Sequence, residues 1–324
     1  MRIGKITENA LKRSVLKQIR TKYKNLESAA VGTDCAFSNE KEIFSGICPM
    51  SLDISGKAYL AVMKAANSLI CQGIIPDHVS LAILLPEDAQ EAELKKIVSD
   101  ALKAAEKCNT VYAGGHTEVT GAVKRSVVTA TAVGMRREEE MIIDRAPKAG
   151  QALVVTGWIG LEGSAVLARE KRDDLITRYP APFVDGAAAF LDYLDIRRQA
   201  EVIRNIKSCS VHDVSGGGIM AALWEFSERA GCGLKADLKK IPIKQETIEI
   251  CEFFGINPYM LLSGGALLLA CDDGEKAVGD LEEAGISAAI IGSLHEGKDK
   301  LIKNDDEMSY LQLPQADEIL KIFG

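Results

Sequence analysis

Residues 210–231 read SVHDVSGGGIMAALWEFSERAG, so two titratable side chains stand directly ahead of a glycine triplet. His212 and Asp213 could move a proton or hold a cation, and Gly216, Gly217 and Gly218 would open the amphipathic helix that follows. A helix start preceded by glycines presents free N–H groups at the positive end of the helix dipole, which suits a phosphate. The same glycines suit a tight strand-to-helix turn that needs positive φ or close packing. The residues alone leave both readings open. A second cluster, YAGGHTEVTGAV, sets Gly114, Gly115, His116, Thr117 and Glu118 after an apolar strand, and a third, AVGTDCAF, carries Asp34 between two β-like segments. His116 and His212 each follow a strand in a glycine-rich turn, where side chains tend to face a cleft. Either is a catalytic candidate or a hydrogen-bonded turn histidine, whereas His78 and His295 read as structural or solvated. The chain contains neither GxGxxG nor GxxxxGK[ST], so a dinucleotide fold or a P-loop is not supported.

The elements that must position these clusters alternate between strand and helix patterns throughout, as α/β or α+β layers do. LKRSVLKQI has a helical pattern, AAVGTDCAF and EIFSGIC read as short strands, and KAYLAVMKAANSLICQG is apolar at helical spacing and stops at Gly73. HVSLAILLP reads as a buried strand, and the helix after it has Asp88 as its expected N-cap. TVYAGG reads as a strand running into glycines. RSVVTATAVG alternates and is β-branched, so it is a further strand, apolar enough to be a hazard at an open sheet edge. Charge, Pro and Gly in MRREEEMIIDRAPKAGQ break the pattern, which puts a domain boundary near residue 145 and divides the chain into 1–145 and 146–324. Beyond it follow ALVVTG as a strand, LEGSAVLAREK as a helix, two more helices, SCSVHD as a strand, and a series of helices and strands ending in SAAIIGSLH.

Composition narrows the partners. A 47% hydrophobic and 26% charged sequence is that of a globular protein, and a net charge of −7 argues against nucleic acid or an anionic membrane. No apolar run reaches the roughly 18 residues of a membrane helix, and the charged N-terminus lacks a signal-peptide core, so the expected compartment is the cytoplasm. The eight cysteines form no CxxC pair and lie mostly in apolar segments, so they are expected to be reduced core residues.

Taken in order, VGTDCAF, GKAYLAVMKAANSLICQGIIPDHVSLAILLP, GGHTEVT, VVTATAVG, AGQALVVTGWIGLEGSAVLARE, HDVSGGGIMAALWEFSERAGCGLKADLKKIPI and CEFFGINPYMLLSGGALLLAC resemble the aminoimidazole ribonucleotide synthetase-like superfamily. They cover most of residues 29–272, and GGHTEVT points to its HypE-like, AIR synthase-related members. The resemblance implies a two-domain α/β (α+β) fold of the PurM type. Its N-terminal domain contributes to a β-barrel shared by a homodimer, and its C-terminal domain packs helices on a mixed sheet. It further implies ATP in a cleft near the barrel and activation of a small-molecule or protein carbonyl by phosphoryl transfer. On this basis Asp34, Asn67, Gly114, Gly115, His116, Thr117, Gly216, Gly217 and Gly218 are expected at the nucleotide. His116, His212 and Asp213 are the expected catalytic groups, and Asp34 the expected magnesium ligand.

Departures from the family pattern set a competing expectation. The family supplies magnesium carboxylates from four places, and this chain keeps Asp34 at the first. Gly46 or its neighbours stand where a second Asp is expected, Ser68 follows Asn67 at the third, and His116 stands at the fourth. Asp53 and Glu118 are the possible substitutes. The chain ends ADEILKIFG, without the terminal cysteine of HypE, so carbamoyl dehydration is not expected. Two readings follow: an ATP-dependent enzyme with a remodelled metal site, or a degraded dimeric relative that binds a nucleotide, a metabolite or a partner.

Overall fold

The computed structural model describes residues 3–24, 27–38, 40, 42–137 and 146–324. The expected domain boundary near residue 145 lies outside the described residues.

The first sheet has the order β1 (Ala36–Phe37), β2 (Ile43–Met50), β5 (Val127–Met135), β3 (His78–Leu85), β4 (Val111–Val119). Only β3 and β4 run parallel. Strand alternation buries Val128, Ala130 and Ala132 of β5, and the helices Lys57–Ile70 and Glu91–Lys107 pack on the sheet. Ile43, Ile47 and Met135 are left exposed, as are Val111 and Val119 on β4.

Several sequence expectations change here. RSVVTATAVG forms β5, which is not an edge strand but the centre of the sheet, hydrogen-bonded to both β2 and β3. AAVGTDCAF is strand only at Ala36–Phe37. Gly32, at φ +76°, bends the chain where an added Cβ would lie 2.6 Å from Glu225 O, so close packing overrides the strand pattern. Gln90, not Asp88, holds the N-cap position of the helix Glu91–Lys107, and its side chain makes no capping bond. TVYAGG does not end at its glycines: β4 continues through Val119, and Gly115 lies so close to β3 that a Cβ would sit 1.9 Å from Leu81 O.

The second sheet is mixed, in the order β12 (Glu307–Tyr310), β11 (Lys300–Asn304), β8 (Gly233–Asp237), β10 (Ala288–His295), β6 (Ala152–Thr156), β9 (Ala266–Cys271), β7 (Ser210–Val214). β9 is buried along its whole length because both faces are covered. Leu267, Leu269 and Cys271 join a core that also takes in the helix Lys57–Ile70 of the N-terminal half. Leu268 and Ala270 face the helix Gly218–Ala230 through Ile219, Leu223 and Phe226. One apolar cluster therefore runs through both halves, and β7, at the sheet edge, delivers His212 and Asp213 to their junction. All eight cysteines are free thiols, six of them buried.

Candidate functional site

Asp34, at the end of the N-terminal turn, meets the end of β7. Its Oδ1 accepts the Asp213 backbone N–H at 3.2 Å and lies 2.8 Å from His212 Nδ1. The other imidazole nitrogen faces Glu225 Oε2 at 3.2 Å, and the ring stacks on Phe226. Burial by itself would push His212 down, but Asp34 and Glu225 outweigh it and lift the imidazole to about 10. Glu225 is driven the other way: burial would raise it, yet His212 and Lys5 bring it to about 2. The result is a buried imidazolium clamped between two carboxylates. Lys5, from the N-terminal segment, adds a contact to Glu225 at 3.3 Å.

Asp213 is the opposite case. Burial raises its carboxyl to about 7, the charge of Asp34 adds to this, and Lys64 and His212 pull it back. Asp213 Oδ1 and Asp34 Oδ2 are both buried without a hydrogen-bond partner. Buried polar atoms are seldom left so. Two such oxygens from two carboxylates stand at one junction, while among the described residues no group of three or more His, Cys, Asp or Glu side chains is placed to share a metal ion.

Lys64 and Glu162 complete the junction. Lys64 Nζ lies 3.0 and 3.2 Å from the two Glu162 carboxylate oxygens, and Gly264 N–H donates to Oε2 at 3.1 Å. Burial would lower Lys64, but Glu162 and the neighbouring acids hold it above its usual 10.5. Residue reading missed this pair; its one signal was a charged residue inside the small, apolar helix start GWIGLEGSA.

Asn67 is buried and donates from Nδ2 to Leu194 O at 2.7 Å, while its Oδ1 has no partner. Ser68 turns its hydroxyl back to Lys64 O on its own helix. A Cβ on Gly46 would lie 2.7 Å from Ala65 O and 2.9 Å from Ser68 Cβ. The two positions that lack the family's carboxylates thus abut each other, and the helix fills the space an Asp at position 46 would need. Asp53 reaches outward to Lys57 at 3.8 Å, not into the junction.

His116 is not in a turn beside Asp34. It projects from the exposed β4, where its Nε2 meets Glu118 Oε2 at 3.1 Å and both side chains face solvent. Thr117, Gly114 and Gly115 lie on the same strand, so one copy of the chain keeps this group apart from the Asp34–Asp213 cluster.

The glycine turn is built as a helix start. Gly217 and Gly218 have φ of +86° and +63°, Gly216 has no positive φ, and a Cβ on Gly218 would meet Tyr259 O at 2.5 Å. The Gly217 amide already has an anion: it donates to Asp317 Oδ2 at 2.6 Å, while Ile319 N–H donates to Asp317 Oδ1 at 3.0 Å. Burial lifts Asp317 to about 6, against these amide bonds. The helix terminus thus behaves as an anion seat, filled by a carboxylate from 100 positions along the chain that no local pattern announces.

Among the described residues no helix is long and apolar enough to cross a membrane. The family model for the AIR synthase related protein N-terminal domain matches residues 18–136, and that for its C-terminal domain matches residues 148–303. A putative hydrogenase expression/formation protein of Methanocaldococcus jannaschii is 25% identical across 98% of this chain and 97% of its own. Carbamoyl dehydratase HypE of Escherichia coli is 24% identical across 90% and 86%. The crystal structure of E. coli HypE, a hydrogenase maturation protein, superposes with a TM-score of 0.71 at 22% identity, covering 86% of this chain and 88% of that one. A hydrogenase maturation protein HypE solved in complex with ATP gives 0.69 at 18% identity, covering 94% and 96%.

Proposed function

We propose that this chain, which belongs to the AIR synthase related protein family, binds ATP with magnesium at the junction of its two halves and activates a carbonyl or similar oxygen acceptor by phosphoryl transfer. The observation that carries this reading is the pair of unpartnered buried oxygens, Asp34 Oδ2 and Asp213 Oδ1, beside Lys64 and His212. A HypE relative's ATP complex, on the same fold, supports it.

Asp34 and Asp213 would hold the ion, and Asn67 Oδ1 is a further buried oxygen without a partner. When bound, magnesium supplies charge neutralisation for the phosphates. His212 has a carboxylate on each ring nitrogen, so its part is to fix Asp34 rather than to relay a proton. The Gly217 amide becomes available to a phosphate only when Asp317 leaves it. Gly46 and Ser68 reduce the carboxylate count, so the remaining two bear most of the ion's charge.

We assign the exposed face of the first sheet, with Ile43, Ile47 and Met135, to a homodimer. In that assembly β4 and its Gly114, Gly115, His116 and Thr117 reach the nucleotide of the other copy. We divide the chain into units 1–145 and 146–324 and place it in the cytoplasm, where eight unpaired thiols are stable.

Calorimetry with MgATP tests the reading. Wild type is expected to bind, and Asp34→Asn, which keeps the shape and removes the charge, to bind at least about tenfold more weakly. Asp213→Asn is expected to do the same. Absence of heat with ATP, ADP or AMP at millimolar concentration, with and without magnesium, would leave only the fold.

A further inference from the structure

The helical segment at 8–22 lies over the end of the helix Gly218–Ala230, and between them is a cavity of about 630 Å³. It is lined by Lys12, Lys17, Arg20 and Arg229, with Glu228 as the one acid, in a chain whose net charge is −7. Glu228 is already matched: it takes Lys12 at 2.7 Å and Lys300 at 2.9 Å, and Lys12 also meets Glu8. Those two acids and two bases close on themselves.

Lys17 and Arg20 stand outside that balance. Three residues apart, they share one face of their helix. Among the described residues neither meets a carboxylate: Arg20 spends Nε on Ala29 O at 2.8 Å, which leaves its remaining N–H groups for the cavity. Arg229 is held by its own bond to Val211 O. Thr21 donates its hydroxyl to Lys17 O at 2.7 Å, and Leu16 and Val31 form an apolar floor. A guanidinium and an ammonium above an apolar floor match a phosphate ester with a small organic body. The volume lies in the range of small-molecule sites.

We propose that this cavity is a second anion site, for a small phosphorylated metabolite, separate from the nucleotide junction. It is lined by none of Asp34, Asp213, Lys64 or Glu162, so it stands or falls independently of the ATP reading.

The test is calorimetric titration of the full chain in EDTA, which removes magnesium from the nucleotide junction, with ribose 5-phosphate and with inorganic phosphate as probes. Ribose 5-phosphate is expected to bind, more tightly than inorganic phosphate because of the apolar floor. Lys17→Glu, a solvent-side change, is expected to weaken it at least tenfold, and Arg20→Gln to weaken it comparably, while Asp34→Asn leaves it unchanged. Affinity is expected to fall as salt rises. Thermal melts of each variant report whether the fold is intact. No binding of either probe at concentrations on the order of 10 mM, or equal binding by wild type and folded Lys17→Glu, would overturn the proposal. Tighter binding of inorganic phosphate than of the ester would reassign the site to the free anion and overturn the metabolite class.

Discussion

Replacing Glu162 by Gln should destabilise the protein severely. The Glu162 side chain has 0% exposure and that of Lys64 has 12%, so the substitution takes the nearest counter-charge from a largely buried ammonium. Gln retains an acceptor for Gly264 N–H, so the loss isolates the charge. Breaking a buried pair by removing one partner costs about 3–5 kcal/mol. The upper end is bounded, because Lys64 can shed its proton instead: neutralising a lysine of usual pKa 10.5 at pH 7 costs about 5 kcal/mol. Lys64→Met combined with Glu162→Gln removes both charges and should recover most of that loss. Urea unfolding at pH 7, followed by far-UV circular dichroism, measures both variants. A single-variant loss below about 1 kcal/mol, or a double variant no better than the single one, would refute the assignment of this pair as a mutually dependent buried contact.

Gly218→Val should cost roughly 1–3 kcal/mol in a thermal melt, since its φ of +63° and the Tyr259 carbonyl 2.5 Å from an added Cβ both oppose a side chain. Asp317 should make stability pH-dependent. Its folded value of about 6 lies above the usual 3.8, so its contribution is fully present below pH ~4 and is lost as pH rises through 6. The stability advantage of wild type over Asp317→Asn should therefore shrink by up to ~3 kcal/mol between pH 4 and pH 7.5, as read from denaturant midpoints. Ile47→Asp, on the exposed face of β2, should convert a dimer to a folded monomer in light scattering.

Strand and helix periodicity was legible because burial on one face leaves a local mark: β5 and the helices Lys57–Ile70 and Glu91–Lys107 lie where alternation and helical spacing put them. The glycines at 217 and 218 announced a turn at a helix start, and the turn is there. The reading failed where long-range packing overrode local pattern. β5 read as an apolar strand hazardous at an open edge, yet strand order is set by partners more than 40 residues away, which place it in the centre. His116 looked like a turn residue because two glycines precede it, but those glycines serve the close approach of β3 and the strand continues.

The sequence by itself determined most of the element types, the order of the family motifs, and the roster of acids, including the absence of carboxylates at positions 46 and 68. Only the tertiary structure decided which of these groups meet. Asp34 reaches His212 and Asp213 over 179 positions of chain at the backbone bond, Lys64 reaches Glu162 over 98, and Asp317 reaches Gly217 over 100. Charge identity is a property of each residue, whereas burial, orphaned oxygens and displaced pKa values arise from what the folded core brings alongside it. That is why the sequence could mark Asp34 as a candidate cation ligand but could not foresee the histidine packed against it or the tail carboxylate at the Gly217 amide.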